Sequence, residues 1–269
     1  RYRQPVLGAE DVCLAVSQSG ETADTLAALR EARRLGAHTL ALTNVVGSSM
    51  AREASGKVLF TWAGPEIAVA STKAYITQVE MMVLLAVDLG LKRGTLDASK
   101  AHDLLAALAE LPGQANEVLR LAEEAQRFAS RHFDRKHVFY MGRGLDWALA
   151  MEASLKLKEI SYIFSEAYAA GELKHGTIAL IEEGSLVCVL LTQHALADKT
   201  LSNVREVKSR GAHVLAICTE DLCERARSVA DEMWLLPTVP DEIAPLLAVI
   251  PVQLLAYYMA VSRGCDVDK

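Results

Sequence analysis

Basic tracts, metal-ligand spacings and paired cysteines are all missing from this sequence, and each absence removes a class of function. No run of lysine and arginine stands out and the formal net charge is −6, so nucleic acid is not expected as a partner. The mild acidity bears on solubility and not on substrate. Aromatic residues make up only 6% of the chain and do not interleave with basic ones. The histidines have no ligand spacing and no Cys/His cluster appears, so neither a metal site nor a cofactor is expected. The cysteines, Cys13, Cys188, Cys218, Cys223 and Cys265, form no C-x-x-C pair. An odd set of scattered thiols, three of them in apolar runs, suits a reducing cytoplasm better than a disulfide framework.

Nothing at the start reads as a signal peptide. The stretch from Ile243 to Val261 is strongly apolar, with Gln253 as its polar interruption. It is marginal in length for a bilayer and is interrupted by Pro245 and Pro251. Flanked by Asp241-Glu242 and Arg263, it reads as a buried helix, and no membrane partner is expected.

What is present is a repeat. Gly36-Ala37-His38-Thr39-Leu40-Ala41 and Gly211-Ala212-His213-Val214-Leu215-Ala216 differ at one position and lie 175 residues apart. The same offset aligns Val12-Cys13-Leu14 with Val187-Cys188-Val189, and Thr25-Leu26 with Thr200-Leu201. A constant offset across several elements points to duplication. Each copy reads as alternating short apolar strands and amphipathic helices. This predicts an α/β fold of two doubly wound lobes, with parallel sheets covered by helices on both faces. The first lobe is expected over 1–96 and the second over 135–269. Residues 97–134 are expected to join them as two helices broken at Pro112-Gly113. The strand His137–Met141 and the helix near 146–161 have no aligned match after residue 1. The first lobe is therefore expected to lack its opening strand and helix.

Three segments carry chemistry. Ser17-Gln18-Ser19-Gly20-Glu21-Thr22 follows the first strand and opens a helix. Backbone N–H groups, a helix dipole and the hydroxyls of Ser17, Ser19 and Thr22 suit a phosphate. Simple helix capping is the plainer alternative. The aligned loop Thr192-Gln193-His194-Ala195-Leu196-Ala197 has lost the glycine and most hydroxyls, which leaves one phosphate loop per chain. Glu152, Lys156 and Glu159 fall on one helical face; the plainer reading is a solvated salt-bridge ladder. The polar segment Ser165 to Gly176 that follows reads as a loop, and its His175 is a candidate acid/base group. The third segment, Glu66 to Lys73, leads into a long helix. There Ser71 or Thr72 would cap, or contact a polyhydroxy ligand.

The strings SQSGETADTL (17–26), EIAVASTKA (66–74), LKLKEISYIFSEAYAAGELKHG (155–176) and RGCDVDK (263–269) resemble the isomerase (tandem SIS) domain of the glucosamine-6-phosphate synthases, the isomerising glutamine–fructose-6-phosphate aminotransferases. The resemblance runs over essentially the whole chain. It implies that Ser17, Gln18, Ser19 and Thr22 hold the phosphate of fructose 6-phosphate, and that Ser71 and the backbone of Val69 contact the sugar. Glu159 would shift a proton between C1 and C2 toward glucosamine 6-phosphate, positioned by Lys156 and Glu152. His175 would assist ring opening from the neighbouring subunit of a homodimer. The resemblance further implies a glutaminase domain in the parent protein. It also places a Cys-Gly-Thr-Ser phosphate loop before residue 1 and a lysine-bearing tail after Lys269. The alternative is a non-catalytic sugar-phosphate-binding module or an inactive fragment, indifferent to Glu159, Lys156 and His175.

Overall fold

Residues 4–268 are described by a computed structural model. The chain divides into two units. The first runs to Ile67 and includes Ser71–Met82; the second takes Ala68–Ala70 and everything from Val83 onward.

In the first unit β1 (Val12–Ser17), β2 (His38–Thr43) and β3 (Val58–Phe60) alternate with α1 (Ala23–Arg34) and α2 (Ser49–Glu53). The strands pair in parallel in the order β1-β2-β3. Leu26 and Leu29 recur on one face of α1, as an amphipathic helix requires, and pack on Ala15, Ala41 and Met50. Arg30 joins α1 to α2 through a two-pronged pair with Glu53, 2.6 Å on both arms. The pair is largely solvated, so it contributes little to stability. The long helix α3 (Lys73–Lys92) begins in this unit and ends in the second.

The second unit opens with α4 (Ala98–Val118) and α5 (Ala122–His132). Then come β4 (His137–Gly142), α6 (Leu145–Ser161), β5 (Phe164–Ala169), β6 (Leu186–Leu191) and α7 (Ala197–Lys208). The unit closes with β7 (His213–Thr219), α8 (Cys223–Ala226), β8 (Glu232–Leu236) and α9 (Ala244–Ser262). Its five strands are parallel in the order β5-β4-β6-β7-β8. The central strand β6, Leu-Val-Cys-Val-Leu-Leu, is buried throughout, as a parallel strand covered on both faces must be. Val187, Val189 and Leu191 face Leu201 and Val204 of α7. On the other face α9 packs against α6 and α5.

The repeat is visible in the sheets: β1-β2-β3 and β6-β7-β8 share order and direction. No counterpart of β4, α6 and β5 occurs among the described residues of the first unit. Of two helices long and apolar enough for a membrane by composition, α9 has 72% of its apolar window buried and α3 has 11%. The apolar stretch from Ile243 is thus a core helix, as expected from its flanks.

Two expectations fail. The stretch after α6 is not simply a loop, because Phe164–Ala169 pairs with β4 as the edge strand β5. The remainder forms short 3-10 turns at Leu173–His175 and Thr177–Leu180. Nor does the chain break at Pro112-Gly113: α4 continues past Pro112 and gives way only at Leu119. Buried anchors lie on both sides of the proline, at Leu104, Leu108 and Val118. Packing there outweighs the proline penalty of about 3 kcal/mol.

Candidate functional site

The loop after β1 sits at the carboxyl end of a parallel sheet, where α/β folds place their ligands. Ser17 ends the strand and is buried. Its hydroxyl accepts from the Gly20 amide at 3.0 Å and pairs with the Thr22 hydroxyl at 2.9 Å. Ser19 accepts from the Glu21 amide at 3.2 Å. The Gln18 carbonyl is held by the Asn44 amide and the Thr43 hydroxyl. Gly20 has φ +67°, and a Cβ there would lie 2.2 Å from Ser48 Oγ. Only glycine fits both the conformation and the space. Thr22 occupies the N-cap of α1 but makes no side-chain cap hydrogen bond. The capping alternative therefore fails for Thr22, whose hydroxyl is turned into the loop toward Ser17.

Beside this loop lies a cleft of about 530 Å³ lined in part by Gln18, Asn44, Trp62 and Glu66. Asn44 shapes its wall. Its amide donates to the Gly64 carbonyl at 2.7 Å, and its carbonyl accepts from the Ala63 amide at 2.9 Å. Just before them Trp62 adopts φ +54°, a strained state for a bulky residue. Glu66 is the cap that Ser71 or Thr72 was expected to supply. Its Oε1 accepts from the amides of Thr72 and Ala74, and its Oε2 from the Ser71 hydroxyl at 3.0 Å. Partial burial disfavours its charge, but these donors outweigh that and hold the carboxyl below its usual value. Ser71 is thus anchored by Glu66 in the first unit. Val69 is assigned to the second unit and is exposed.

The second unit carries the α6 residues. Lys156 is nearly fully buried, with its Nζ 2.6 Å from Glu159 Oε2 and 3.6 Å from Glu152 Oε1. The side chains are 5% exposed for Lys156, 11% for Glu152 and 33% for Glu159. This is not a solvated ladder. Burial pushes the Glu152 carboxyl above its usual value; Lys156 opposes the rise and Glu159 adds to it. Glu152 Oε1 has no hydrogen-bond partner, since 3.6 Å is an ion-pair distance and not a hydrogen bond. One cation between two carboxylates leaves a single net negative charge, with Glu159 as the member open to solvent. His175 lies exposed in the 3-10 turn Leu173–His175.

The SIS domain family matches residues 1–88 and 133–263. Over its whole length the chain is 55% identical to the isomerizing glutamine–fructose-6-phosphate aminotransferase of Caldanaerobacter subterraneus subsp. tengcongensis and 56% identical to that of Symbiobacterium thermophilum. It covers 44% of each, so it spans less than half the length of these curated relatives. Among solved structures, the C-terminal domain of glucosamine-fructose-6-phosphate aminotransferase from Francisella tularensis matches all of this chain and 76% of its own, at a TM-score of 0.95 and 35% identity. The chain belongs to the SIS domains of these aminotransferases. The fold reaches further: glucosamine-6-phosphate deaminase from Thermotoga maritima has a TM-score of 0.70 at 23% identity, covering 98% of this chain and 74% of that one.

The second SIS copy shows what became of its aligned loop. The Thr192 amide donates to Asp146 Oδ2 at 2.8 Å and the Thr192 hydroxyl to Asp146 Oδ1 at 2.6 Å. The His194 amide donates to Asp241 Oδ2 at 2.9 Å. Two carboxylates of the chain itself accept these loop donors. Asp146 comes from the first turn of α6 and is 1% exposed. Sequence reasoning missed Asn44, Trp62, Glu66 and Asp146. For Asp146 the usable signal was an acidic residue in a helix first turn close to a loop that had lost its hydroxyls.

Proposed function

We propose that this SIS chain is the sugar-phosphate isomerase part of an isomerising glutamine–fructose-6-phosphate aminotransferase. It binds fructose 6-phosphate and shifts a proton from C1 to C2 to give glucosamine 6-phosphate. The observation that carries this reading is the buried Lys156 between Glu152 and the half-open Glu159. A protein that only bound sugar phosphate has no use for such a row. In the proposed mechanism Ser17, Gln18, Ser19 and Thr22 hold the phosphate through hydroxyls and loop amides. Ser71, fixed by Glu66, and the Val69 backbone meet the sugar. Glu159 takes the C1 proton and returns it at C2 through an enediol or enolamine. A carboxylate suits this role as a weak, reversible base. Lys156 and Glu152 set its position and charge.

His175 assists ring opening at the site of a neighbouring subunit, so the working form is a homodimer. The lobes 1–96 and 135–269, joined through 97–134, would divide phosphate binding from proton transfer. A glutaminase domain of the parent protein supplies the nitrogen, and the protein works in the cytoplasm. The test is Glu159→Gln. Calorimetry should show fructose 6-phosphate still bound. Exchange of the C1/C2 proton with solvent, followed by NMR in deuterium oxide, should fall by about a hundredfold or more. Exchange at the unaltered rate would remove Glu159 from its assigned role.

A further inference from the structure

Thr192 and Asp146 lie at the carboxyl edge of the second sheet. At its opposite, amino edge, three residues far apart in sequence converge. His132 ends α5, while His213 and Glu232 begin β7 and β8. Glu232 is registered opposite Leu215, and residues two apart on a strand share a face. His213 and Glu232 therefore emerge together on the face that α5 covers, where Phe128 of α5 meets Trp234 of β8 edge-on at 5.5 Å. The rings of His132 and His213 lie 4.9 Å apart. One ligand atom from each of the three residues lies within 4.8 Å of the others. His213 Nε2 and Glu232 Oε1 are 3.2 Å apart, close to the edge of about 3.3 Å expected for a tetrahedral zinc set with its usual bond lengths.

A second observation points the same way. His132 is 5% exposed, and its Nδ1 is buried with no hydrogen-bond partner. Buried ring nitrogens are normally paired. Arg131 engages Glu232 through Oε2 at 2.7 Å, which leaves Oε1 directed at His213. The other ring nitrogen of His213 lies 3.9 Å from Asp231 Oδ2, an ion-pair distance and not a hydrogen bond. His194 makes the contrast. Its two ring nitrogens are each taken by a different carboxylate, Asp241 and Asp221, and they converge on no shared point.

We propose that His132, His213 and Glu232 form a site for a divalent transition metal of the zinc type, which clamps α5 onto β7 and β8. Two imidazoles and a carboxylate are the donor set that zinc accepts with a further position left for water. The test is calorimetric titration of the metal-free chain with zinc chloride, paired with the visible absorption of added cobalt(II). One zinc per chain at low-micromolar affinity or tighter is expected. His213→Ala, His132→Ala and Glu232→Gln should each weaken it by about tenfold or more. Zinc should raise the thermal midpoint of the unaltered chain, and much less that of Glu232→Gln. Glu232→Gln is isosteric, so it reads the site even if an alanine variant fails to fold. Absence of zinc binding, or binding unchanged in Glu232→Gln, overturns the proposal.

Discussion

Replacing Lys156 by methionine tests the electrostatics of α6 most directly. Methionine keeps much of the apolar body and removes the charge. Glu152, already raised by burial, then loses the cation that opposes the rise. Removing one partner of a buried ion pair costs about 3–5 kcal/mol. Glu159 is one-third exposed and water absorbs part of its loss, so about 3 kcal/mol is expected. The Glu152 carboxyl is thereby pushed further above its usual value. The sign follows from linkage. A carboxyl whose folded value lies above its unfolded value keeps a proton that the unfolded chain has released, so stability falls as pH rises toward the folded value. The defect should therefore be small near pH 5 and largest near pH 8. Urea unfolding across that range, with unchanged m-values, measures it. The double variant Glu152→Gln/Lys156→Met removes both buried charges and should recover most of the loss. A defect below about 1 kcal/mol at pH 8, or one equal at both ends of the range, would refute the account.

Asp146 offers a related test. Burial pushes its carboxyl up from 3.8 to about 6, against the bonds from Thr192 that work the other way. Stability should fall between about pH 4 and pH 6 by an amount on the order of 3 kcal/mol; Asp146→Asn, which cannot ionise, should flatten that segment of a urea-midpoint curve. Gly20→Ala must adopt positive φ and displace Ser48, whose side chain caps α2; a loss of about 2 kcal/mol is expected. Inorganic phosphate binding, read by calorimetry, should weaken with it. Glu66→Gln removes the charge that gathers the start of α3. Exchange protection of the Thr72 and Ala74 amides should drop, while protection in β1 stays unchanged.

Periodicity and the internal repeat reach far into this fold. The apolar run Leu-Val-Cys-Val-Leu-Leu reads as a strand buried on both faces, and its match in the first copy marks the repeated strands; their order in each sheet comes from the structure. β5 escaped because Phe164, Ser165, Glu166 and Ala167 mix polar and apolar residues, as an edge strand with one wet side does. The helix through Pro112 escaped because its stability comes from Leu104, Leu108 and Val118, which tertiary packing supplies and local propensity does not show. At the site, the loop 17–22 and the row Glu152, Lys156, Glu159 were legible from residue type and spacing. The depth at which Lys156 is buried was not, because helical spacing fixes which residues share a face and not what covers them. Glu66 could be read as a polar neighbour but not as the cap of α3. His132, His213 and Glu232 have no common spacing at all; only the strand register and the packing of α5 bring them together.

Asp146 has one more consequence. In the first copy the phosphate we propose for the loop would arrive from solution, and its occupancy would follow its concentration. In the second copy the anion is tethered to the chain, and its local concentration is set by the geometry of the first turn of α6. The helix bearing Glu159 is therefore fastened at its start as the protein folds, before any sugar arrives. In the role proposed for Glu159, the entropy of ordering its helix would be spent during folding and would not be subtracted from the affinity for substrate. On the proposed reading, duplication has turned a receptor loop into a rivet.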